Sequence, residues 1–586
     1  MDGYAHYGLE HTATLHANAT QAKLVRNGLD WLVELTHMLS ETSSWFISWT
    51  SNHVSKLILL VALVIPLITR LASAWAFRKS RSLSTGRQSN VPLVPYWIPG
   101  AYHLLPFLWD TVGFAVATIT RYGWENPVMV KAASTKLALI ASPAHVVSVF
   151  KNSRFLSTRL VLENVQRCLL GIPSEVMPFY LADNSGMAIE PRKGSQVAQE
   201  DRILFHQAHT HHKWLASPYL DPVVECFFEK LDRHFESLEI GDTWQEYPDL
   251  FQFIQSIIIG ANIETLLGSK ILEMNPNLVD DFCIAKKSVP EFLKGWPRWL
   301  ALTGFRARDR VISALEKWHT YAQNNGDYSS TGDSDPDWDP VWGSKCEKVR
   351  QQYMNGTKAL TAHERACEDW GFLIGLNYNT PPSLFWYIFE ALKDPILYNR
   401  MMNEVTQCRR PDGTFSISDL AAQPLLESAY AETLRLRVSI LITRTVEYSD
   451  IDIGGLTLRR GDNVLMPIDS THMNEEAWNR AGKTSDKSLQ EFDADRFLEP
   501  SEAGPKFSLD GLAGLWIPYG GGDRMCPGRH LVKVEMLIFF AYMFSRYEIE
   551  ANETDMKTVR PNRKYVSFGA LPPNRPVRFR IRRKAP

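Results

Sequence analysis

Cysteine is scarce in this chain: seven residues in 586, at positions 168, 226, 283, 346, 367, 408 and 526. The odd number and long spacings exclude a disulfide-stapled scaffold. No CxxC pair is present to begin a zinc site. Surplus charge is missing too. Sixty-three Lys and Arg face 65 Asp and Glu, a formal net charge of −2 that gives no electrostatic footprint for nucleic acid. Internal repeats are absent, and low-complexity sequence is confined to Asn324–Pro340, a polar, acidic, turn-rich stretch that reads as an exposed, inserted loop. What remains is 45% hydrophobic, 22% charged and 11% aromatic, values of a chain that buries a large core and is not mostly disordered.

A long hydrophobic run is present near the start. Leu57–Phe77 (LILLVALVIPLITRLASAWAF) makes a helix of about 31 Å, the thickness of a bilayer's hydrocarbon core. Pro66 and Arg70 interrupt it, and the arginine has to snorkel. Arg78, Lys79, Arg81 and Arg87 follow at once, whereas Lys56 is the only nearby cation upstream, a bias that puts the bulk of the protein in the cytosol. Trp45, Trp49 and Trp75 suit the membrane interfaces. A buried core helix would leave the cationic border unexplained, and a cleaved secretory signal would be shorter and nearer Met1. The expected organisation is therefore a lumenal segment 1–56, a transmembrane helix 57–77, a basic and proline-rich linker 78–100 and a globular domain 101–586. In the linker, Pro92, Pro95 and Pro99 hold the chain extended. The sequon at Asn18 falls on the lumenal side, where it can carry a glycan; those at Asn355 and Asn552 face the cytosol.

Helical patterns dominate Val223–Leu238, Thr361–Leu392 and Leu425–Leu436, with short strand-like runs at Ile451–Leu458 and Asp462–Ile468. The domain reads as mainly α with small β-sheets. Its chemical centre is WIPYGGGDRMCPGRHLVKVEMLIFFAYMF. Gly520–Gly522 allow a tight loop, and Cys526 sits just before an apolar helix through Leu531–Phe544. A helix N-terminus and the charge of Arg524 favour thiolate over thiol, as a soft metal ligand requires. The same loop also accommodates a buried, inert cysteine, and taken alone it does not decide between the two.

The run resembles the haem-binding signature of the cytochrome P450 family, F-x-x-G-x-R-x-C-x-G. Gly522, Arg524, Cys526 and Gly528 match, and Tyr519 stands where the family usually has Phe. Three further stretches follow the family in the right order. Glu432-Thr433-Leu434-Arg435 is similar to its E-x-x-R helix, and FDADRF places Arg496 as in F-x-P-x-R-F, with Ala494 for the proline. Asn379-Thr380, in LIGLNYNTPPSLFWYIFEAL, falls where the family has an acid–alcohol pair in its long central helix. There Pro381 and Pro382 remove backbone N–H groups and open the helix beside Thr380. The N-T-x-P-x-x-F-W pattern is similar to the branch with sterol hydroxylases and prostacyclin synthase.

The resemblance spans roughly 92–586 and implies a P450 fold around haem b. Cys526 would be the axial thiolate and iron ligand, and Arg524 and Arg444 would be propionate partners. Glu432, Arg435 and Arg496 would form a supporting network, and Thr380 with Asn379 would manage protons. It also implies a monooxygenase of the endoplasmic reticulum that takes O2, electrons from NADPH-cytochrome P450 reductase, and an apolar small molecule reached from the lipid bilayer. A fungal biosynthetic role fits. Two departures stand out. Asn379 is no carboxylic acid, so protons would move through an amide, water and Thr380. The family's W-x-x-x-R contact is also missing, with HTHHKW (His209–Trp214) a candidate replacement. Asn379 keeps open a haem-thiolate isomerase or dehydratase that needs no reductase, and a non-enzymatic haem- or sterol-binding protein is the third reading.

Overall fold

The computed structural model describes residues 53–83, 89–411, 414–502 and 504–585. Asn18, Trp45, Trp49 and Arg87 lie outside the described residues. The chain divides into two units, one of residues up to 78 with 95–102, the other of 79–94 with 103–586.

In the first unit the apolar run is helical, as its composition dictates. Helix α1 (His53–Leu83) extends beyond the expected 57–77 at both ends and continues through Pro66. Its Leu59–Ser82 portion is long and apolar enough to cross a membrane. Leu60, Leu63, Ile68 and Leu71 are exposed along it among the described residues. Arg70 donates to the carbonyl of Pro95 in the proline-rich stretch. Ser73 Oγ accepts from Tyr96 N–H at 3.1 Å. Backbone polar groups thus offset the cost of the two polar side chains in an apolar helix.

The second unit is a helical body with small sheets, as the sequence predicts. Its helices used below are α2 (Ile203–Trp214), α3 (Leu220–Glu236), α4 (Leu250–Leu267), α5 (Leu278–Lys286), α6 (Leu302–Asn325), α7 (Lys345–Gly356), α8 (Ala362–Asn377), α9 (Thr380–Lys393), α10 (Pro424–Arg437) and α11 (Arg529–Arg546). Helix α3 shows why they pack. Val223, Phe227, Leu231 and Phe235 recur every fourth residue and are all buried, whereas Glu225, Glu229 and Glu236 face solvent. Helix α4 is apolar all round, matches a membrane span in composition, and is instead buried in the core.

A six-stranded sheet sets the other wall of the site. Strands β1 (Val128–Ala132), β2 (Thr135–Leu139), β3 (Leu156–Ser157), β4 (Val438–Val446), β5 (Asn463–Pro467) and β6 (Phe568–Ala570) run in the order β6-β4-β5-β2-β1, with β3 on β4. Only the β5–β2 pair is parallel; the others are antiparallel. The two predicted strand-like runs are both realised, the first as a hairpin of Ile451–Ile453 with Leu456–Leu458.

One expectation gains detail and one changes. The acidic stretch 324–340 is exposed or half-exposed throughout, and its end is also anchored to the body. Trp338 donates its indole N–H to Glu264 O at 3.0 Å, and Asp339 pairs with Lys348 at 2.7 Å. The helical pattern over Thr361–Leu392 is two helices, α8 and α9, parted at Tyr378 and Asn379. Helix α8 begins with a capping box between Thr361 and Glu364. Pro381 and Pro382 fall in the first turn of α9, where an absent N–H costs no intrahelical bond. The break is bolted to β6, since Asn379 Oδ1 accepts from Ala570 N–H at 2.8 Å. Gly569, at φ +146°, allows that approach, and a Cβ there would lie 2.2 Å from Asn379 Oδ1.

Gly569→Ala is therefore expected to lower stability by about 2–3 kcal/mol through strain and the lost Asn379 bond. A urea titration of the purified chain measures this. An unchanged midpoint would mean that β6 shifts freely.

Candidate functional site

The site is a cavity of about 320 Å³ between the α8–α9 break, strand β4 and the loop leading into α11, within the range of small-molecule sites. Cys526, Gly528, Tyr519, Arg524, Arg444, Thr380 and Asn379 all line it. Residues from three stretches of sequence thus meet on one cavity. Gly522 is different: it packs the loop against the body at φ +67°, where a Cβ would meet Ser153 Oγ at 1.8 Å.

Hydrogen bonds fix the cysteine loop from inside. The Cys526 N–H donates to Tyr519 O at 3.0 Å, and Met525 N–H to Gly522 O at 3.0 Å. Around the sulfur, the expected low pKa is not found. Burial pushes the thiol up and outweighs the N–H groups of Gly528 and Arg529 and the Arg529 charge, which pull it down. Arg524 is not the cation that reaches the sulfur; its charged neighbours are Asp523, Glu447 and Asp183, beside Tyr448.

Arg444 and Arg524 both line the cavity, and neither forms an ion pair with a carboxylate among the described residues. Arg444 donates to the carbonyls of Thr443 at 2.8 Å and Gly521 at 3.4 Å. Burial, and then the charge of Arg524, push Arg444 down to about 10. The two guanidiniums repel each other, and the nearby carboxylates, Asp523 for both and Glu447 and Asp183 for Arg524, act on them without a direct ion pair. Opposite, the hydroxyl of Thr380 donates to Leu376 O at 3.0 Å, filling an acceptor that the break leaves open. The Asn379 oxygen is committed to Ala570, so its amide nitrogen is the group left for the cavity.

Behind the loop, Glu432, Arg435 and Arg496 form the expected network. Arg435 forks onto Glu432 at 2.6 and 2.8 Å, and Arg496 Nε donates to Glu432 Oε1 at 3.0 Å. All three are buried. Several partners here were not legible beforehand. His472 Nδ1 lies 3.0 Å from Arg435 O, and its Nε2 accepts from Ile517 N–H at 3.3 Å, which ties the network to the cysteine loop. Tyr430, two residues before Glu432, meets the hydroxyl of Tyr519, a contact that Phe could not make. Glu535 lines the cavity and burial pushes its carboxyl up to about 8, so it is mainly protonated at neutral pH. A lone carboxylate in the apolar run VKVEMLIFF was the available signal. The HTHHKW candidate divides. His211 accepts from Arg350 away from the cavity at 2.9 Å, whereas His212 feels the charge of Arg529 beside the cysteine loop.

The residues fit a flat, dianionic, sulfur-ligated group. Gly375 and Gly528 line the cavity, yet a Cβ on either would meet no protein atom within 4 Å. The space they leave is not filled by packing, and the two arginines lack the anions that a haem's propionates would bring. The cytochrome P450 family model matches residues 180–579, and the chain belongs to that family. Its members carry haem iron with a thiolate ligand. The chain is 27% identical to the cytochrome P450 monooxygenase efuG of Hormonema carpetanum, across 91% of this chain and 97% of the relative. It is 27% identical to fsoE of Humicola fuscoatra, likewise a cytochrome P450 monooxygenase, across 94% of both chains. Cytochrome P450 7B1 of Mus musculus is 22% identical across 86% of this chain and 92% of its own length. The haem domain of cytochrome P450DA superposes with a TM-score of 0.58 at 13% identity, over 85% of this chain and 98% of that one, which establishes the shared fold.

Glu432→Ala strands two buried guanidiniums and is expected to cost about 3–5 kcal/mol, read as loss of the folded protein in a denaturant titration. His472 supplies a pH test. Burial and the Arg435 charge lower it to about 3 in the folded chain, against about 6.5 unfolded. Its neutral form is free of cost above pH ~6.5, and stability drains away as pH falls from there toward ~3. His472→Gln should flatten that acid limb in a pH series of thermal melts, and an unchanged limb would assign it to other groups.

Proposed function

We propose that the Cys526 sulfur would hold the iron of haem b and that the chain is a monooxygenase placing one oxygen atom from O2 into an apolar small molecule. A sterol, terpenoid, polyketide or alkaloid skeleton fits the mainly apolar cavity wall. What carries the reading is the meeting, on one cavity, of a loop-held thiol, two arginines without carboxylate partners and a buried threonine hydroxyl. Monooxygenases matching over nine-tenths of both chains support it. When bound, the haem supplies oxygen activation, with two electrons from NADPH through NADPH-cytochrome P450 reductase and two protons, the second oxygen atom leaving as water.

The chain's own residues do the rest. Arg444 and Arg524 would hold the propionates, and the Gly528 and Arg529 N–H groups direct hydrogen bonds at the sulfur. The Thr380 hydroxyl trades its bond to Leu376 for one to a water or an oxygen substrate and so holds a proton at Oγ1. Asn379 can donate from its amide nitrogen but cannot act as an acid, so protons arrive by water. Leu376, Leu434, Val438, Ile440 and Ile442 give the site an apolar wall that excludes further water. The exposed apolar face of α1 and the cations Arg78, Lys79 and Arg81 suit a single-pass anchor in the endoplasmic reticulum with the catalytic unit in the cytosol. A fungal biosynthetic pathway is the setting we infer from the organisms of the first two relatives.

One observation favours a second reading. With Asn379 tied to Ala570, the usual acid is both substituted and occupied, which suits an isomerase or dehydratase that consumes no O2. Cells making the native chain or Cys526→Ala under heavy-isotope dioxygen separate the two by mass spectrometry. A native-only product with one heavy oxygen atom is expected; a native-only product without it overturns the monooxygenase and promotes the isomerase. In the reconstituted system, Thr380→Ala should keep NADPH oxidation while product per NADPH falls by about tenfold or more.

A further inference from the structure

A second cavity, of about 260 Å³, lies on the other side of the α8–α9 break. No residue lines both cavities. Its walls are the start of α4, the end of α5, the break itself and the C-terminal segment that follows β6. Three polar atoms on this wall have no hydrogen-bond partner among the described residues: Lys286 Nζ, Tyr378 Oη and Gln255 Oε1. All three side chains are more than nine-tenths buried, with exposures of 7%, 7% and 4%. Buried polar groups are almost always paired, and an ammonium most of all. Lys286 has only the face of Phe251, 5.6 Å from its nitrogen to the ring centre, which leaves its N–H donors unused.

The neighbouring charges do not complete it. Asp249, the carboxylate on this wall, caps α4 by accepting from Phe251 N–H at 3.0 Å, and the cation it feels is Lys287. The missing partner is thus an acceptor carrying negative charge. One ammonium and one phenol match the two oxygens of a single carboxylate. Around them the wall is apolar: Phe251, Pro382, Tyr565 and the prolines at 572, 573 and 576. Exposed Lys287 and Arg575 stand on the same lining and draw anions toward it.

We propose that this cavity is a second ligand site, taking an apolar monocarboxylate. Its carboxylate accepts from Lys286 Nζ and Tyr378 Oη, and a hydroxyl on the same ligand, where present, donates to Gln255 Oε1. Burial lowers Lys286 to about 8, so near neutral pH it meets the ligand as an ammonium. The site is independent of the monooxygenase reading, because nothing in it depends on what the haem cavity does. Its position gives it a consequence. Tyr378 adjoins Asn379, and Ala570 lies on this wall while its N–H holds Asn379, so an occupant touches the hinge of the haem site from behind.

The test is calorimetric titration of decanoate and of decan-1-ol into the full-length, haem-loaded chain in nanodiscs, with an azole filling the haem cavity. Saturable binding of decanoate, with no change in the haem spectrum, is expected. Decanol should bind about tenfold more weakly or worse, and Lys286→Met should lose about tenfold in decanoate affinity. Tyr378→Phe, which removes only a hydroxyl, should lose about threefold and serves if the lysine variant fails to fold. Equal binding of decanoate and decanol, unchanged affinity in the variants, or no binding at all would overturn the proposal and leave a water-filled cavity over a neutral amine.

Discussion

The carboxylate of Glu432 sits where water does not reach and is shared by two guanidiniums that belong to different parts of the chain. One, on Arg435, is a helical neighbour and forks onto it; the other, on Arg496, arrives from 64 residues later. None of the three charges is tolerable there without the others. Their shared bonds fix the pitch of α10, from which Tyr430 reaches Tyr519. They also fix the position of His472, which carries the constraint to the backbone of Ile517. The cysteine loop is therefore held from behind by a charge network as well as from within by its own turns. Held on both sides, the loop keeps its thiol in one place.

Much of this was legible. The spacing of Gly522, Arg524, Cys526 and Gly528, the Glu432–Arg435 pair, Arg496 and the proline-flanked Asn379-Thr380 are local patterns, and each lands where its pattern says. The apolar helix near the start was legible for the same reason, since length and composition are local quantities. What escaped is what depends on distant neighbours. Whether burial or a helix end governs the Cys526 thiol is a balance of solvation that no spacing records, and burial wins. That Asn379 gives its oxygen to Ala570 requires knowing that β6 lies beside the break. The bond from Trp338 to Glu264 likewise anchors the end of a stretch that reads only as an exposed loop.

The two cavities express one property of the α8–α9 break. A continuous helix would present unbroken, satisfied backbone on every side. Two prolines and a gap of two residues let one face admit a threonine hydroxyl and the other a tyrosine and an apolar wall. The polar atoms there are few and specific, which is how a mainly apolar pocket sets orientation.

The bond between Asn379 and Ala570 also has a meaning in time. A chain is made from its N-terminus, and helices α8 and α9 emerge long before strand β6 exists to receive them. Cys526, Ala570 and Leu571, to whose carbonyl Trp386 donates at 2.7 Å, are all synthesised after those helices. The pocket thus cannot close until the chain has grown past β6. A ribosome that stalls before that point leaves a chain in which α8 and α9 are present and the pocket they border is open.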